Sequence, residues 1–226
     1  MLGRSLRLAM PALVILCGIH GFASGAQAAR NKAADPAITA QSQAETLIQN
    51  LGDRAVATLA DQSLDGTAKN LRLQNMMRES FDLMTIGRFV IGRNAWAGAT
   101  PEQRQEYLSL FDKLVIKIYS DRFALYSGQR FKTVSSRPEG ERDIVVKSQV
   151  VQPDEDHPIE VEWRVRNFDG RLGVIDVIVE GISMSVTQRQ EYGAVIQRHD
   201  GSIEELLKRM HESLDQQDAR DAATVR

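Results

Sequence analysis

Cysteine is almost missing from this sequence. The 226 residues hold one, Cys17, so no intramolecular disulfide can form and no thiolate cluster can hold a metal. An excess of charge of one sign is missing too. Lysine and arginine number 28 against 30 aspartates and glutamates, a net charge of −2. With no basic face able to neutralise a run of phosphates, nucleic acid is excluded as a partner. Beyond the first twenty residues no apolar run approaches the roughly 18 residues that cross a bilayer. There is no glycine-framed serine elbow and no glycine-rich phosphate loop. Histidine is sparse, and neither His199 nor His211 has a partner at metal-ligand spacing. Asp154-Glu155-Asp156-His157 could offer ligands to a cation, but Pro153 and Pro158 frame it as a solvated loop between strands. No metal and no cofactor are expected.

What is present begins with an export signal. Arg4 and Arg7 form a cationic start, Leu8 to Ile19 is an apolar run too short to span a membrane, and Ala26 and Ala28 supply small residues for cleavage. Residues 1–28 therefore read as a signal peptide. Leu16, the residue before Cys17, is not the small residue that a lipidation site wants. The exported chain would then be thiol-free and held by its core alone. It is expected to fold as one domain over 29–214, with a polar tail over 215–226.

Along the mature chain the hydrophobic period changes once from helical to strand-like and then back. Ile38, Ala44, Leu47, Ile48, Leu51, Ala55 and Leu59 recur at three and four, the mark of an amphipathic helix. Shorter helical pieces follow over 71–77 and 81–91, with breaks at Asp65-Gly66 and Gly92. Thr100-Pro101-Glu102-Gln103 is a helix start with its own cap. The helix it opens presents Tyr107, Phe111, Leu114, Val115, Ile118 and Phe123 on one face, and Ser127-Gly128 would end it. Strands are expected over 131–135, 144–151, 159–168 and 172–180, with Ile159, Val161, Trp163 and Val165 inward and Glu160, Glu162, Arg164 and Arg166 outward. Asp169-Gly170 is a hairpin turn. Helical patterning returns from Val186 to Gln197, and Ser202-Ile203-Glu204-Glu205 opens a last helix to about Leu214. Helices, an antiparallel sheet of about four strands, then helices again is an α+β order.

The stretch DVIVEGISMSVTQRQEY, from Asp176 to Tyr192, raises the chemical question. Asp176 and Glu180 lie four apart on a strand, hence on one face and about 13 Å from each other by strand rise, too far for a glycosidase-like pair. A structural role, each acid holding backbone amides or an arginine such as Arg189, fits better. Two other readings stay open from the residues alone: a small enzyme with Asp176 as a base in a sheet pocket, and a solid-core protein-interaction module. The methionines and phenylalanines, among them Met76, Met77, Met84, Phe81 and Phe89, are most simply core. Apolar periodicity does not separate a solid core from a hollow one.

Longer words in the sequence are more specific. The run IGRNAWAGATPEQRQEYLSLFDKLVIKIYSDRFALYSGQ, then DVIVEGISMSVTQRQEY, then the GSIEELLKRM helix resemble, in order and from about Ala40 to Leu214, the MlaC family of periplasmic phospholipid-binding proteins, also called toluene-tolerance proteins. The resemblance implies a twisted antiparallel sheet and covering helices around an apolar cavity that takes phospholipid tails. It implies a periplasmic, non-enzymatic monomer that carries phospholipid between an outer-membrane lipoprotein complex and an inner-membrane ABC transporter with a substrate-binding ring, maintaining outer-membrane lipid asymmetry. Carried over by position, the cavity wall should include Phe111, Leu114, Val115 and Ile118 from the long helix, Val146, Val161, Trp163, Val165, Val177 and Val179 from the sheet, and Met184. Asp176, Glu180, Gly181 and Arg189 would anchor the sheet end and the turn that leads to Met184. The family commonly has aromatics where this chain has Leu172 and Ile175, which bears on cavity size there.

Overall fold

Helices precede an antiparallel sheet and helices follow it. The computed structural model describes residues 36–123, 128–153 and 157–224. The expected signal peptide, the acids Asp154 to Asp156 and the end of the long helix at Ser127 lie outside the described residues. The order is α1 (Pro36–Ala60), α2 (Gly66–Ser80), α3 (Leu83–Ile91), α4 (Arg93–Gly98), α5 (Pro101–Phe123), β1 (Arg130–Glu139), β2 (Asp143–Val151), β3 (Ile159–Phe168), β4 (Arg171–Val179), β5 (Ile182–Ser183), α6 (Met184–Gln197) and α7 (Glu204–Thr224). The five strands pair in chain order and all are antiparallel, and with helices before and after the sheet the fold is α+β.

Local chemistry accounts for the boundaries. Gln103 N–H donates to Thr100 Oγ1 at 3.2 Å while Thr100 N–H donates to Gln103 Oε1 at 3.0 Å, the reciprocal cap the four residues encode. Asp65 caps α2 through Ala68 N–H, Asp82 caps α3 through Thr85 N–H, and Ser183 caps α6 through Val186 N–H. Asp169 and Gly170 both take positive φ, 51° and 99°, as a two-residue turn matched to strand twist requires. Glu180 and Gly181 repeat this at 48° and 79° and fold β5 back on β4. Three differences from the sequence reading have simple causes. α4 is an extra short helix after Gly92. At the last helix Ser202 Oγ accepts Glu204 N–H, but Glu205 pairs with Arg209 instead of returning a hydrogen bond. That helix also runs past Leu214 to Thr224, because Asp215 to Thr224 contains no glycine or proline and Asp218 pairs with Lys117 of α5 at 3.0 Å.

The inner sheet face is split between two uses. Register aligns Ile144, Val165 and Val174 in one row and Val146, Trp163 and Val177 in the next. A bulge between Arg164 and Val165 leaves Ile175 as the extra residue on β4. It resets the alternation so that Val174, Val177 and Val179 all face inward. Ala44 and Ile48 of α1 close on Ile144, Val146, Val165 and Val174, each at most 6% exposed, as one solid cluster. A second cluster joins α5, α6 and α7 through Tyr107, Leu110, Leu114, Ile196, Leu206 and Met210. The rest of the sheet face, around Val161 and Val179, meets neither.

Asp82 ties the helical layer to the sheet. Its carboxylate caps α3 and pairs with Arg171, and its backbone N–H donates to Val174 O at 2.9 Å. Burial pushes its carboxyl up, but the hydrogen bonds from Arg171 and Thr85 outweigh that and hold it below the ordinary carboxylate value. A depressed folded value means stability present above the unfolded value, about 3.9, and lost as pH falls through the folded one. Asp82→Asn should therefore be less stable than the parent by about 1 kcal/mol at neutral pH, a modest figure because Arg171 is exposed. In urea titrations the gap should close below about pH 4; a gap that stays constant on acidification contradicts the assignment.

Candidate functional site

Where the sheet face leaves α1, a cavity of about 500 Å³ opens. Its floor is Val161, Trp163, Val177 and Val179. Phe111, Val115 and Tyr119 of α5 form one wall, Leu83, Ile86 and Val90 of α3 the next, and Leu73, Met76 and Met77 of α2 a third. The last half of α1, from Leu51 to Leu59, completes it. Met184 and Ser185 at the start of α6 close one side.

The helical period explains which face of each element looks in. On α5, Phe111, Val115 and Tyr119 are spaced by four and form the stripe on the cavity. Leu114 and Ile118, expected on the same wall, belong to the packing that meets α7 and do not line the space. Val146 and Val165 do face inward, but α1 covers them, so they too are solid core and not lining. Their direction was readable from alternation; the depth of the covering helix was not. Leu172 packs in the α1 cluster and Ile175 is the buried bulge residue, so neither place where an aromatic is replaced borders the cavity.

Two aromatics brace the floor. Trp163 stands edge-on between Phe81 and Phe131, with ring centroids at 6.3 and 6.2 Å. Its indole N–H donates to Ser148 Oγ at 2.8 Å, and Ser148 donates in turn to Val161 O. The polar edge is thus satisfied inside the sheet and the ring adds only apolar surface. Phe131 lies so close over Gly52 that a Cβ there would stand 2.0 Å from the ring. A glycine in mid-helix, normally a cost of about 1 kcal/mol, is what lets β1 approach α1. Behind Phe111, Tyr107 donates to Gly87 O at 2.9 Å. Burial pushes its phenol far above the ordinary range, and pushes Tyr192 beside it up to about 12.

Polar side chains on the lining are few, and the acidic one is committed. Asp176 Oδ1 accepts Val177 N–H at 2.9 Å and Ser185 N–H at 3.0 Å, and Oδ2 accepts Ser183 O–H at 2.6 Å. The carboxylate sits at the start of α6, where the unpaired amides and the helix dipole favour an anion. Glu180 does not share its strand face, because β4 ends at Val179 and Glu180 belongs to the turn. Its carboxylate instead accepts Glu160 N–H, and its own N–H donates to Glu160 O at 3.0 Å. Arg189 pairs with neither acid. It donates to Phe89 O at 2.6 Å and lies over the Phe89 ring, fixing the end of α3 against α6. Among the described residues, no three histidine or acidic side chains converge as metal ligands, and no helix is long and apolar enough to cross a membrane.

A sheet and helices folded around an apolar hollow make a container for a small apolar ligand. The family model that matches is described as MlaC protein and covers residues 49–212; the chain belongs to the MlaC family. It is 22% identical over 147 residues to the intermembrane phospholipid transport system binding protein MlaC of Haemophilus influenzae, across 64% of this chain and 67% of that one. It is also similar to a solved phospholipid-binding protein from Ralstonia solanacearum in complex with a phospholipid, at 25% identity and a TM-score of 0.67, across 77% of this chain and 98% of that one.

The structure adds to the site Met76, Met77 and Phe81, expected as core, together with the α1 half from Leu51 to Leu59 and Phe131 of β1. Gly52 within an otherwise apolar helical stripe was the available signal. For Asp176 the geometry makes a definite claim. Asp176→Ala should leave Ser185 N–H unpaired and cost about 1–3 kcal/mol, read as a lower denaturation midpoint, while Asp176→Asn, which keeps an acceptor, should lose less. Equal stability of all three proteins contradicts the anchoring role.

Proposed function

We propose that this protein is a periplasmic carrier that takes the acyl chains of a phospholipid into the cavity and moves the lipid between an inner-membrane ABC transporter carrying a substrate-binding ring and an outer-membrane lipoprotein complex, so maintaining outer-membrane lipid asymmetry. The observation that carries the reading is the cavity of about 500 Å³, walled by apolar side chains from five helices and the sheet. The Ralstonia solanacearum neighbour binds a phospholipid and the Haemophilus influenzae relative is a binding protein of a phospholipid transport system, which supports the same use of the same fold here.

The energetics suit transport and not chemistry. Each methylene taken out of water contributes about 0.8 kcal/mol, so thirty of them amount to roughly 25 kcal/mol. A lone lipid does not cross an aqueous space against that term. A carrier lined like a bilayer interior exchanges one apolar environment for another, so loading and unloading are both nearly balanced. Catalysis by Asp176 is disfavoured: its oxygens already accept three hydrogen bonds from the chain, and a general base needs to reach the proton it removes. The protein acts as a monomer with no cofactor on this reading, the lipid being cargo.

Purified protein extracted with organic solvent should yield about one phospholipid per chain by mass spectrometry. Val177→Glu places a carboxylate on the cavity floor, and Val115→Trp fills the space from α5; both should lose the bound lipid while retaining the circular dichroism of the parent. A folded Val115→Trp or Val177→Glu protein that still carries stoichiometric phospholipid overturns the assignment of the cavity.

A further inference from the structure

Two of the helices that wall the cavity carry cations on their backs. The inner faces of α3 and α6 line the hollow with Leu83, Ile86 and Val90 and with Met184 and Ser185. Their outer faces hold Met84, 63% exposed, Phe89, 43% exposed, and Val186. Arg88 lies one turn beyond Met84, and Arg189 one turn beyond Val186. The Arg189 guanidinium crosses to α3 and stands 4.9 Å from the centre of the Phe89 ring, so the apolar side chains of the two helices join in one ridge. Past Gly92 the ridge continues. Trp96 of α4 has Arg88 at 5.0 Å and Arg104 of α5 at 5.3 Å over its ring, and the exposed Arg93 lies one turn before it. None of these four arginines has an ion pair among the described residues, and Leu83 to Pro101 contains no aspartate or glutamate. Of the acids at the borders, Asp82 pairs with Arg171 and Glu191 accepts a hydrogen bond from Gln188.

We propose that this ridge docks the protein on a bilayer surface bearing anionic lipid. With a net charge of −2 over the whole chain, attraction to an anionic surface has to come from a local excess of cations, and the ridge supplies one. A protein interface gathers its apolar side chains at a desolvated centre and leaves its charges to the rim. Here the two kinds alternate instead. Guanidinium heads reach lipid phosphates while Met84, Phe89 and Val186 enter between the head groups, the division found in helices that lie in a membrane interface. Each arginine near such a surface strengthens binding about fivefold, so the contact is reversible docking and not anchorage. It presents the outer side of the α3 and α6 wall to the bilayer. The ridge is separate from the hollow, so the docking goes beyond the carrier reading and does not depend on what fills the cavity.

The purified protein is sedimented with vesicles of dioleoylphosphatidylcholine alone and with vesicles in which half of that lipid is replaced by dioleoylphosphatidylglycerol. The wild type should sediment with the anionic vesicles, come off them as salt is raised, and stay in solution with the neutral ones. Arg88→Gln combined with Arg93→Gln should weaken that binding about thirtyfold, whereas Arg88→Lys with Arg93→Lys, which keeps the charge, should retain most of it. Lipid extracted from both double variants should match the parent's, since neither side chain lines the cavity. Equal sedimentation with the two kinds of vesicle, or unchanged binding after Arg88→Gln with Arg93→Gln, overturns the docking surface and leaves the cavity reading standing. Wild-type protein that binds neither vesicle overturns it too, and makes an acidic protein the occupant of the ridge. Protein that docks on anionic vesicles but yields no phospholipid on extraction supports the ridge and overturns the cavity reading alone.

Discussion

The structure depends on keeping a large apolar hollow open inside a domain of ordinary stability. Empty volume inside a protein core costs about 24 cal/mol per Å³, and the walls of an apolar space of about 500 Å³ bear part of such a cost. Side chains would collapse into the space if they could. They do not because each wall is held from behind: α5 by its packing on α6 and α7, the sheet by the α1 cluster, and α3 by Asp82 at one end and Arg189 at the other. The solid clusters serve the hollow by denying its walls any freedom to move inward. A bound hydrocarbon removes the same cost, so ligand and fold stabilise each other by mass action.

This division explains how much could be read from residues alone. Element order, the cap at Thr100, the Asp169-Gly170 turn and the inward row of β3 follow from local chemistry, and local chemistry is written in the sequence. Leu114 and Val115 are adjacent, apolar and of similar size, yet one packs against α7 and the other borders empty space. Val146 and Trp163 sit side by side in the register, and one is sealed by α1 while the other is not. Nothing in a hydrophobic period records how far away the opposing layer stands. The bulge at Ile175 was more nearly legible, since the inward valines Val174, Val177 and Val179 break strict alternation at that point. Polarity masks the extension of α7 to Thr224, which only the absence of any glycine or proline from Asp215 to Thr224 signals.

Asp176 and Glu180, which the sequence suggests as anchors more than as a catalytic pair, are the fasteners of one corner. Asp176 gathers the amide of Ser185 and the hydroxyl of Ser183, Ser183 in turn caps α6, and Glu180 pins the return turn to Glu160. With those bonds in place Met184 and Ser185 are delivered to the cavity wall and the strand end is sealed. Polar groups near an apolar site are safe only when satisfied, because an unpaired one would either draw in water or destabilise the wall. The same economy governs Trp163 and Tyr107, whose polar atoms both bond away from the hollow.

An interior without specific contacts also limits what the protein can do by itself. If tails contribute nearly all the binding energy, the free energy of a loaded carrier tracks that of a lipid in a bilayer, and neither loading nor release is strongly favoured. On the carrier reading proposed above, direction comes from outside the cavity, from partners that bind the loaded and empty forms unequally. A ligand or partner shifts such an equilibrium only by its differential affinity, and about 1.4 kcal/mol moves it tenfold. Weak discrimination inside the container is therefore what the proposed carrier role requires: a pocket that gripped one lipid tightly would bind it once and stop.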